Sequence, residues 1–329
     1  MPTRNLAEIP ARRFVFDLGP FRFESEIDVP ELRASTGTAE TAVSIRLGGV
    51  PESIPNAVYA DWCCQLTATE YLLDISGTAR YYVRDGNQVR LEIAPGAPIA
   101  NVSTYLLGSV FGVLCHQNGM LPLHASAVAF GGGVTAFAGD SGAGKSTLAA
   151  CLRRRGYTIV SDDICLLRPD PGPPQNPPHV VPVAGWLKLW NQSLHYLGET
   201  PLEQNRVFST DDKFRVFLSS PCPEQLGLGS VAFLARDPDP LAQPSLRPVP
   251  PPEAIAGLID LTYAGYVPEL AGQRSRIFEQ CARVFSHARA FRLTVPWALD
   301  RMDAVLDLLE KDLFRADPFA PDPIDSDRR

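Results

Sequence analysis

Paired cysteines, a basic surplus and long apolar runs are all missing from this chain of 329 residues. Its seven cysteines, Cys63, Cys64, Cys115, Cys151, Cys165, Cys222 and Cys281, are odd in number and include no Cys-x-x-Cys pair. Most sit among apolar residues and read as small buried hydrophobes, which argues against a disulfide framework and for a reducing cytoplasm. Lysine and arginine total 30 against 37 acidic residues, for a net charge of −7. No long basic stripe occurs, so nucleic acid is not an expected partner. Arg153-Arg154-Arg155 is a short run at a helix end, where cations complement the dipole. The strongest apolar run, Tyr105 to Cys115, is far too short to span a bilayer. Met1 to Pro10 lacks the apolar core of a signal peptide. No membrane association is expected.

What is present is globular: 45% hydrophobic and 20% charged residues, enough chain for one large domain or two ordinary ones. The most informative stretch is Gly139-Asp140-Ser141-Gly142-Ala143-Gly144-Lys145-Ser146. It fits the phosphate-binding loop, with four free residues between the first glycine and Gly-Lys-Ser. A strand reading, Val134 to Ala138, runs into it, and a helix reading, Ser146 to Arg155, runs out. In that context the glycines let backbone N–H groups converge on phosphate oxygens, and the helix start adds partial positive charge. Lys145 then reaches the β- and γ-phosphates, the Ser146 hydroxyl holds Mg²⁺, and residues 139–147, Thr147 included, cradle the phosphates of ATP.

Residues 12 to about 97 read as β-rich, with a hairpin about Asp85-Gly86-Asn87 between Arg80–Arg84 and Gln88–Ile93. A core helix is expected from Ile99 to Gln117, ending at Asn118-Gly119. Leu123 to Phe130 reads as one strand, linked by Gly131-Gly132-Gly133 to the strand before the loop. Pairing across that link sets His124 opposite Asp140, give or take a residue or two. After Gly156, a C-cap, the short strand Tyr157–Ser161 ends in Asp162-Asp163. The proline-rich stretches 169–182 and 237–252 read as surface loops. Apolar segments at 185–197 and 214–218 and a strand at 230–235 lie between them. Two helical stripes follow, at 277–288 and 299–313, and residues 317–329 read as a disordered tail. The division is thus a β-rich region at 1–97, a domain carrying the phosphate-binding loop at 98–316 and the tail.

Asp162 and Asp163 stand where the next strand after the loop's helix ends. Two carboxylates there allow one to serve Mg²⁺ and the other to take a proton from an attacking hydroxyl. His124 beside the loop suits neutralising charge on a phosphoryl group or tuning a base. Lys188, Arg206, Lys213 and Arg215 are candidate phosphate or substrate contacts, each more simply read as surface charge.

Taken together, His124, the loop at 139–146 and Asp162-Asp163 resemble the catalytic domain of the HPr kinase/phosphorylase family over residues 123–167. The resemblance implies Asp162 as catalytic base, Asp163 as an acidic partner at the metal and His124 as the active-site histidine. It implies a mixed α+β fold of the kind shared with phosphoenolpyruvate carboxykinases, carrying a phosphate-binding loop, with the β-rich region in front. Two departures stand out: Thr147 occupies a position where that family carries Glu, and the family's downstream signature segment is not found. Softer motifs at 106–109, 121–128 and the Leu-Lys-Leu-Trp of 187–190 are similar to HPr-kinase-like proteins of peptide-modifying clusters, including lasso-peptide clusters whose kinases phosphorylate a precursor's C-terminal serine. The expectation is an ATP- and Mg²⁺-dependent serine kinase in the cytoplasm, with Asp162, His124 and Lys145 catalytic and Ser146 and Asp163 at the metal. Its partner is a protein or peptide bearing the acceptor serine, and self-association into a homo-oligomer is left open. HPr kinase/phosphorylase proper, a non-catalytic ATP-binding regulatory module and a small-molecule kinase are the rivals.

Overall fold

A computed structural model describes residues 13–35, 37, 39–168, 177–183, 185–218, 226–296 and 298–314. The segment Met1–Pro10, the tail at 317–329, Cys222 and most of the first proline-rich stretch lie outside the described residues. Eight strands open the chain: β1 (Phe14–Leu18), β2 (Phe21–Ser25), β3 (Thr41–Leu47), β4 (Tyr59–Ala60), β5 (Cys64–Leu66), β6 (Glu70–Ile75), β7 (Ala79–Arg84) and β8 (Gln88–Ile93). They form one mixed sheet in the order β1-β2-β3-β8-β7-β6-β5-β4. The hairpin between β7 and β8 falls where the Asp-Gly signal put it, and Asp85 and Gly86 both have positive φ. In β8 the buried Val89 and Leu91 alternate with exposed Gln88, Arg90 and Glu92, the pattern of a sheet with one face covered.

The cover is a continuous helix over Ile99–Gln117, made of α1 (Ile99–Tyr105), a π turn at Leu106–Val110 and α2 (Phe111–Gln117). The apolar run expected to be short is part of this longer helix, which by length and composition alone could cross a membrane. Here Val102, Leu106, Val110 and Leu114 pack with Tyr81, Val83 and Leu91 in one core, so it is a core helix. Gly108 and Gly112 face Tyr263: a Cβ at Gly108 would stand 2.9 Å from the Tyr263 Oη, and one at Gly112 3.0 Å from its ring. Glycine is what lets that ring approach the helix.

The rest of the chain builds a second sheet. In order come β9 (Leu121–Leu123), β10 (Ala125–Phe130), β11 (Gly133–Ala138), α3 (Lys145–Arg154), β12 (Thr158–Ser161), β13 (Cys165–Arg168), β14 (His179–Val181), β15 (Trp186–Trp190), α4 (Asn191–Tyr196) and β16 (Lys213–Phe217). Then follow β17 (Leu226–Asp237), β18 (Ser245–Pro248), α5 (Pro251–Asp260), α6 (Tyr266–Leu270), α7 (Arg274–Phe285), β19 (Arg289–Pro296) and α8 (Met302–Asp312). Nine strands run β12-β10-β11-β17-β14-β13-β9, with β19 beside β17 and β18 beside β19, while β15 and β16 pair as a separate ribbon. β11 pairs antiparallel with β10 and parallel with β17. The architecture is therefore mixed α+β.

Every residue of β11 is buried, as a strand covered on both faces requires. Phe137 joins Leu148, Leu152, Leu187, Leu189, Val305 and Leu309 on the face carrying α3, α8 and the ribbon. Val134 and Ala136 join Leu258, Ile277 and Cys281 on the face carrying α5 and α7. Three expectations need correction, the first being that the stretch 169–182, read as a surface loop, ends in β14 with Val180 and Val181 buried. The strand expected over Leu123–Phe130 is broken at His124, whose N–H donates to the Leu261 carbonyl at 2.8 Å; Leu123 instead pairs with Cys165. The second proline-rich stretch holds β18 and the start of α5. Pro248 is tolerated because β18 is an edge strand, and Pro251 because the first turn of a helix needs no N–H.

The two sheets share a core, since Ile164, Leu166, Val181 and Val267 pack into the first sheet's cluster. A buried ion pair crosses the same junction: Arg215 Nη2 lies 3.2 Å from Glu31 Oε1, with side chains 3% and 7% exposed. Glu31 also accepts from Ser103 Oγ at 2.6 Å, and Arg215 donates to Thr104 Oγ1 at 3.0 Å. Breaking such a pair leaves an uncompensated buried charge. Arg215→Ala should lower the unfolding free energy by about 3–5 kcal/mol in urea titrations. A loss under about 1 kcal/mol, the size expected of an exposed pair, would show that the junction does not depend on this contact.

Candidate active site

β11 ends one residue before Gly139, and α3 begins at Lys145. Between them the chain turns through Gly142 and Gly144, with φ of 82° and 101°. Gly144 is the residue immediately before the helix; a side chain there would be strained in the left-handed region. The Lys145 ammonium folds back on its own loop, donating to the carbonyls of Gly139 at 2.7 Å and Asp140 at 2.8 Å. Burial holds it down to about 8, against the opposing pull of Asp163 and Asp162. Thr147, in the first turn of α3, has its Oγ1 2.9 Å from Ser193 Oγ, which ties α3 to α4.

The two aspartates share a turn but not an environment. Asp162 is buried, with both carboxylate oxygens engaged: Oδ1 accepts from Ser126 Oγ at 2.6 Å and Oδ2 from the Lys188 N–H at 2.8 Å. Burial pushes its carboxyl up, and the hydrogen bonds from Ser126 and Lys188, with Ser146 also nearby, oppose that push. Asp163 has φ 69°, and the Ile164 N–H closes on the Asp162 carbonyl at 2.8 Å. That is a γ-turn of the rare, strained hand. It throws the Asp163 side chain outward, 19% exposed, to within 2.7 Å of Lys188 Nζ. Burial would raise its carboxyl, but Lys188, His124 and Lys213 outweigh burial and hold it well below the usual range.

His124 sits at the break between β9 and β10. Its Nδ1 is 3.2 Å from the Asp163 carbonyl oxygen and 3.7 Å from Asp163 Oδ1. Burial first, then the charge of Lys145, push its pKa down, against the pull of Asp163. Register across the Gly131-Gly132-Gly133 link pairs Ala125 with Ala138, so His124 falls level with Gly139, one short of Asp140. Its partner is Asp163. The ring also lies against Tyr263, with centroids 5.8 Å apart.

These groups open on one cleft of about 390 Å³. Its lining includes Ser141, Gly142, Ala143, Gly144, Lys145, Ser146, Thr147, His124 and Asp163. Gly139 and Asp140 form the root of the loop, where Lys145 is tethered. Asp162 is not among the lining residues; of the pair, Asp163 faces the cleft. The four cationic candidates divide. Lys188 and Lys213 line the cleft, whereas Arg206 bonds Glu203 and lies over the Phe214 ring, and Arg215 is committed to Glu31.

Ser126, Trp190, Arg236 and Met302 were not foreseen. A signal existed for Ser126: a hydroxyl inside a wholly apolar strand must find a partner, and it is two residues from His124. No comparable signal marks Arg236 or Met302, which topology brings from distant β17 and α8.

No protein-family profile matches the chain, and no curated protein matches it. Among solved structures, the HPr(Ser) kinase/phosphatase from Coxiella burnetii aligns at 16% identity with a TM-score of 0.28, covering 56% of this chain and 85% of that one.

The Lys188–Asp163 contact has a pH signature. A carboxyl depressed in the folded state contributes stability that is present above its unfolded pKa and lost as pH falls through the folded one. Lys188→Met keeps the backbone N–H that serves Asp162 but removes the nearest cation from Asp163. The Asp163 carboxyl, followed by ¹³C NMR, should then titrate at higher pH than in the parent, and an unmoved titration would refute the pairing.

Proposed function

We propose that the chain is an ATP-dependent kinase that transfers the γ-phosphoryl group to a serine hydroxyl of a protein or peptide. One arrangement supports this above all: the loop at 141–147, Lys145, His124 and Asp163 open into the same cleft. Backbone N–H groups of the loop and the N-terminus of α3 suit the phosphates, and Lys145 can exchange its two loop carbonyls for phosphate oxygens. Ser146, with Asp162 close by, offers the hard oxygen donors that Mg²⁺ prefers. Among the described residues no group of three or more His, Cys, Asp or Glu could hold a metal alone, so phosphate oxygens and water must complete the coordination. When bound, Mg²⁺ neutralises charge on the phosphate oxygens.

The geometry favours exchanging the aspartate roles expected from sequence. Asp162 has no free oxygen toward the cleft and stands beside Ser146, which suits orienting that hydroxyl. Asp163 is placed to accept a hydrogen bond from the acceptor. As the serine oxygen forms its bond to the γ-phosphorus, the bond from that phosphorus to the β,γ-bridging oxygen breaks. ADP leaves with that electron pair, and the serine proton passes to Asp163. Its low pKa is tolerable because phosphoryl transfer depends mostly on positioning and charge stabilisation. His124, bonded at the Asp163 backbone, fixes the turn. The motifs at 106–109, 121–128 and 187–190 support a peptide acceptor in the cytoplasm, with a lasso precursor's C-terminal serine as the narrowest form of the idea.

Incubation with [γ-³²P]ATP and a serine-peptide library tests the reading. Asp163→Asn should slow labelling by about 10²–10⁴-fold, the usual worth of a general base, while leaving fluorescent-nucleotide affinity nearly intact. Binding of nucleotide with no labelling of any acceptor would instead identify a regulatory module. Because Lys145 titrates near 8, nucleotide affinity should fall above that pH by up to about tenfold per unit. A flat profile through that window would remove Lys145 from phosphate binding.

A further inference from the structure

The cleft is rich in positive charge. Lys145, Lys188, Lys213 and Arg236 line it, against Asp163, the one carboxylate among its described lining residues. In the reading above, on which this inference rests, Lys145 serves the phosphates. Lys188 is committed to Asp163 at 2.7 Å, and Arg236 comes from β17, two residues after Leu234. Lys213 differs. No described carboxylate lies within ion-pair distance of its ammonium, which instead rests over the Trp190 ring, 5.6 Å from the centroid. Its charge is nevertheless felt at the transfer point, where it helps depress Lys145, His124 and Asp163.

The ribbon explains the placement. Leu187 and Leu189 are buried, so Lys188 and Trp190 share the other face, and Lys213 is paired with Trp190. That pair lies one step beyond the Lys188–Arg215 pair, about 7 Å further along the strands. Trp190 is 47% exposed, so the pair sits at the outer edge of the cleft. A third lysine crowded against two others is repulsive unless an anion joins it. Lys188 has Asp163 to hand, whereas Lys213 has no described carboxylate within ion-pair distance.

We infer that Lys213, backed by Trp190, recognises a carboxylate next to the acceptor hydroxyl, so that the substrate class is serine peptides with an acidic group adjoining the serine. Two sources could supply it, an Asp or Glu side chain or the peptide's own terminal carboxylate. The test compares serine peptides of one length with Asp or Asn beside the serine, and peptides ending in serine as free acid or amide. Each is assayed with the parent protein, Lys213→Met and Lys213→Arg, and fluorescent-ATP affinity is measured in parallel. The parent should favour one acidic series by about tenfold or more in kcat/KM, and the favoured series names the source. Lys213→Met should erase the preference through KM, Lys213→Arg should keep most of it, and nucleotide affinity should change by less than about twofold. Equal labelling of acidic and neutral peptides by the parent overturns the inference alone. So does a roughly tenfold loss of nucleotide affinity in Lys213→Met, which would make Lys213 a phosphate contact. Nucleotide binding without labelling of any peptide overturns the kinase reading and the inference together.

Discussion

A buried carboxylate that must find two donors organises this site. Asp162 takes one from Ser126 on β10 and one from the backbone of β15, and these fix its position from two sides. The next residue then has little choice. Asp163 adopts a left-handed backbone whose cost is about 1–3 kcal/mol. Hydrogen bonds contribute about 0.5–1.5 kcal/mol each, so the two on Asp162 are of the size needed to hold the turn in its strained form. One aspartate is spent as an anchor so that the other can be presented to the cleft.

Around that turn, each charged group is occupied by an internal partner that a ligand could replace. Lys145 bonds two carbonyls of its own loop, and Asp163 is held by Lys188. Carbonyls are weaker partners for an ammonium than phosphate oxygens are, so exchange at Lys145 runs toward a phosphate ligand. His124 adds a contact to the Asp163 backbone, its Nδ1 lying 3.2 Å from that carbonyl oxygen. The geometry is therefore prepared before any ligand enters, which limits the reorganisation that binding requires.

Local signals in the sequence located the loop, the core helix, the β7–β8 hairpin and the neighbourhood of His124 and the aspartates, because each depends on residues close in the chain. Gly-Lys-Ser after an apolar strand, Asp-Gly between alternating arms and a 19-residue apolar periodicity all act over short range. What was not legible depends on distant partners. Which aspartate faces the cleft is decided by Ser126 and Lys188, both far from it in sequence. The break at His124 is set by the Leu261 carbonyl, and the far wall comes from β17 and α8. Proline content misled at 237–252, since edge strands and first helical turns tolerate proline as readily as loops do.

The buried Glu31–Arg215 pair also constrains how such a chain can diverge. Arg215 is two residues from Lys213 on the same face of β16, and its counter-ion sits in the connection between β2 and β3 of the first sheet. A chimera that grafted a foreign sheet in place of residues 14–93 would have to bring an acid to the position of Glu31. Otherwise β16 would carry an orphaned guanidinium into the core and drag the cleft's rim with it. Sheet and cleft are thus inherited as one unit, joined by a shared apolar core and by this buried pair.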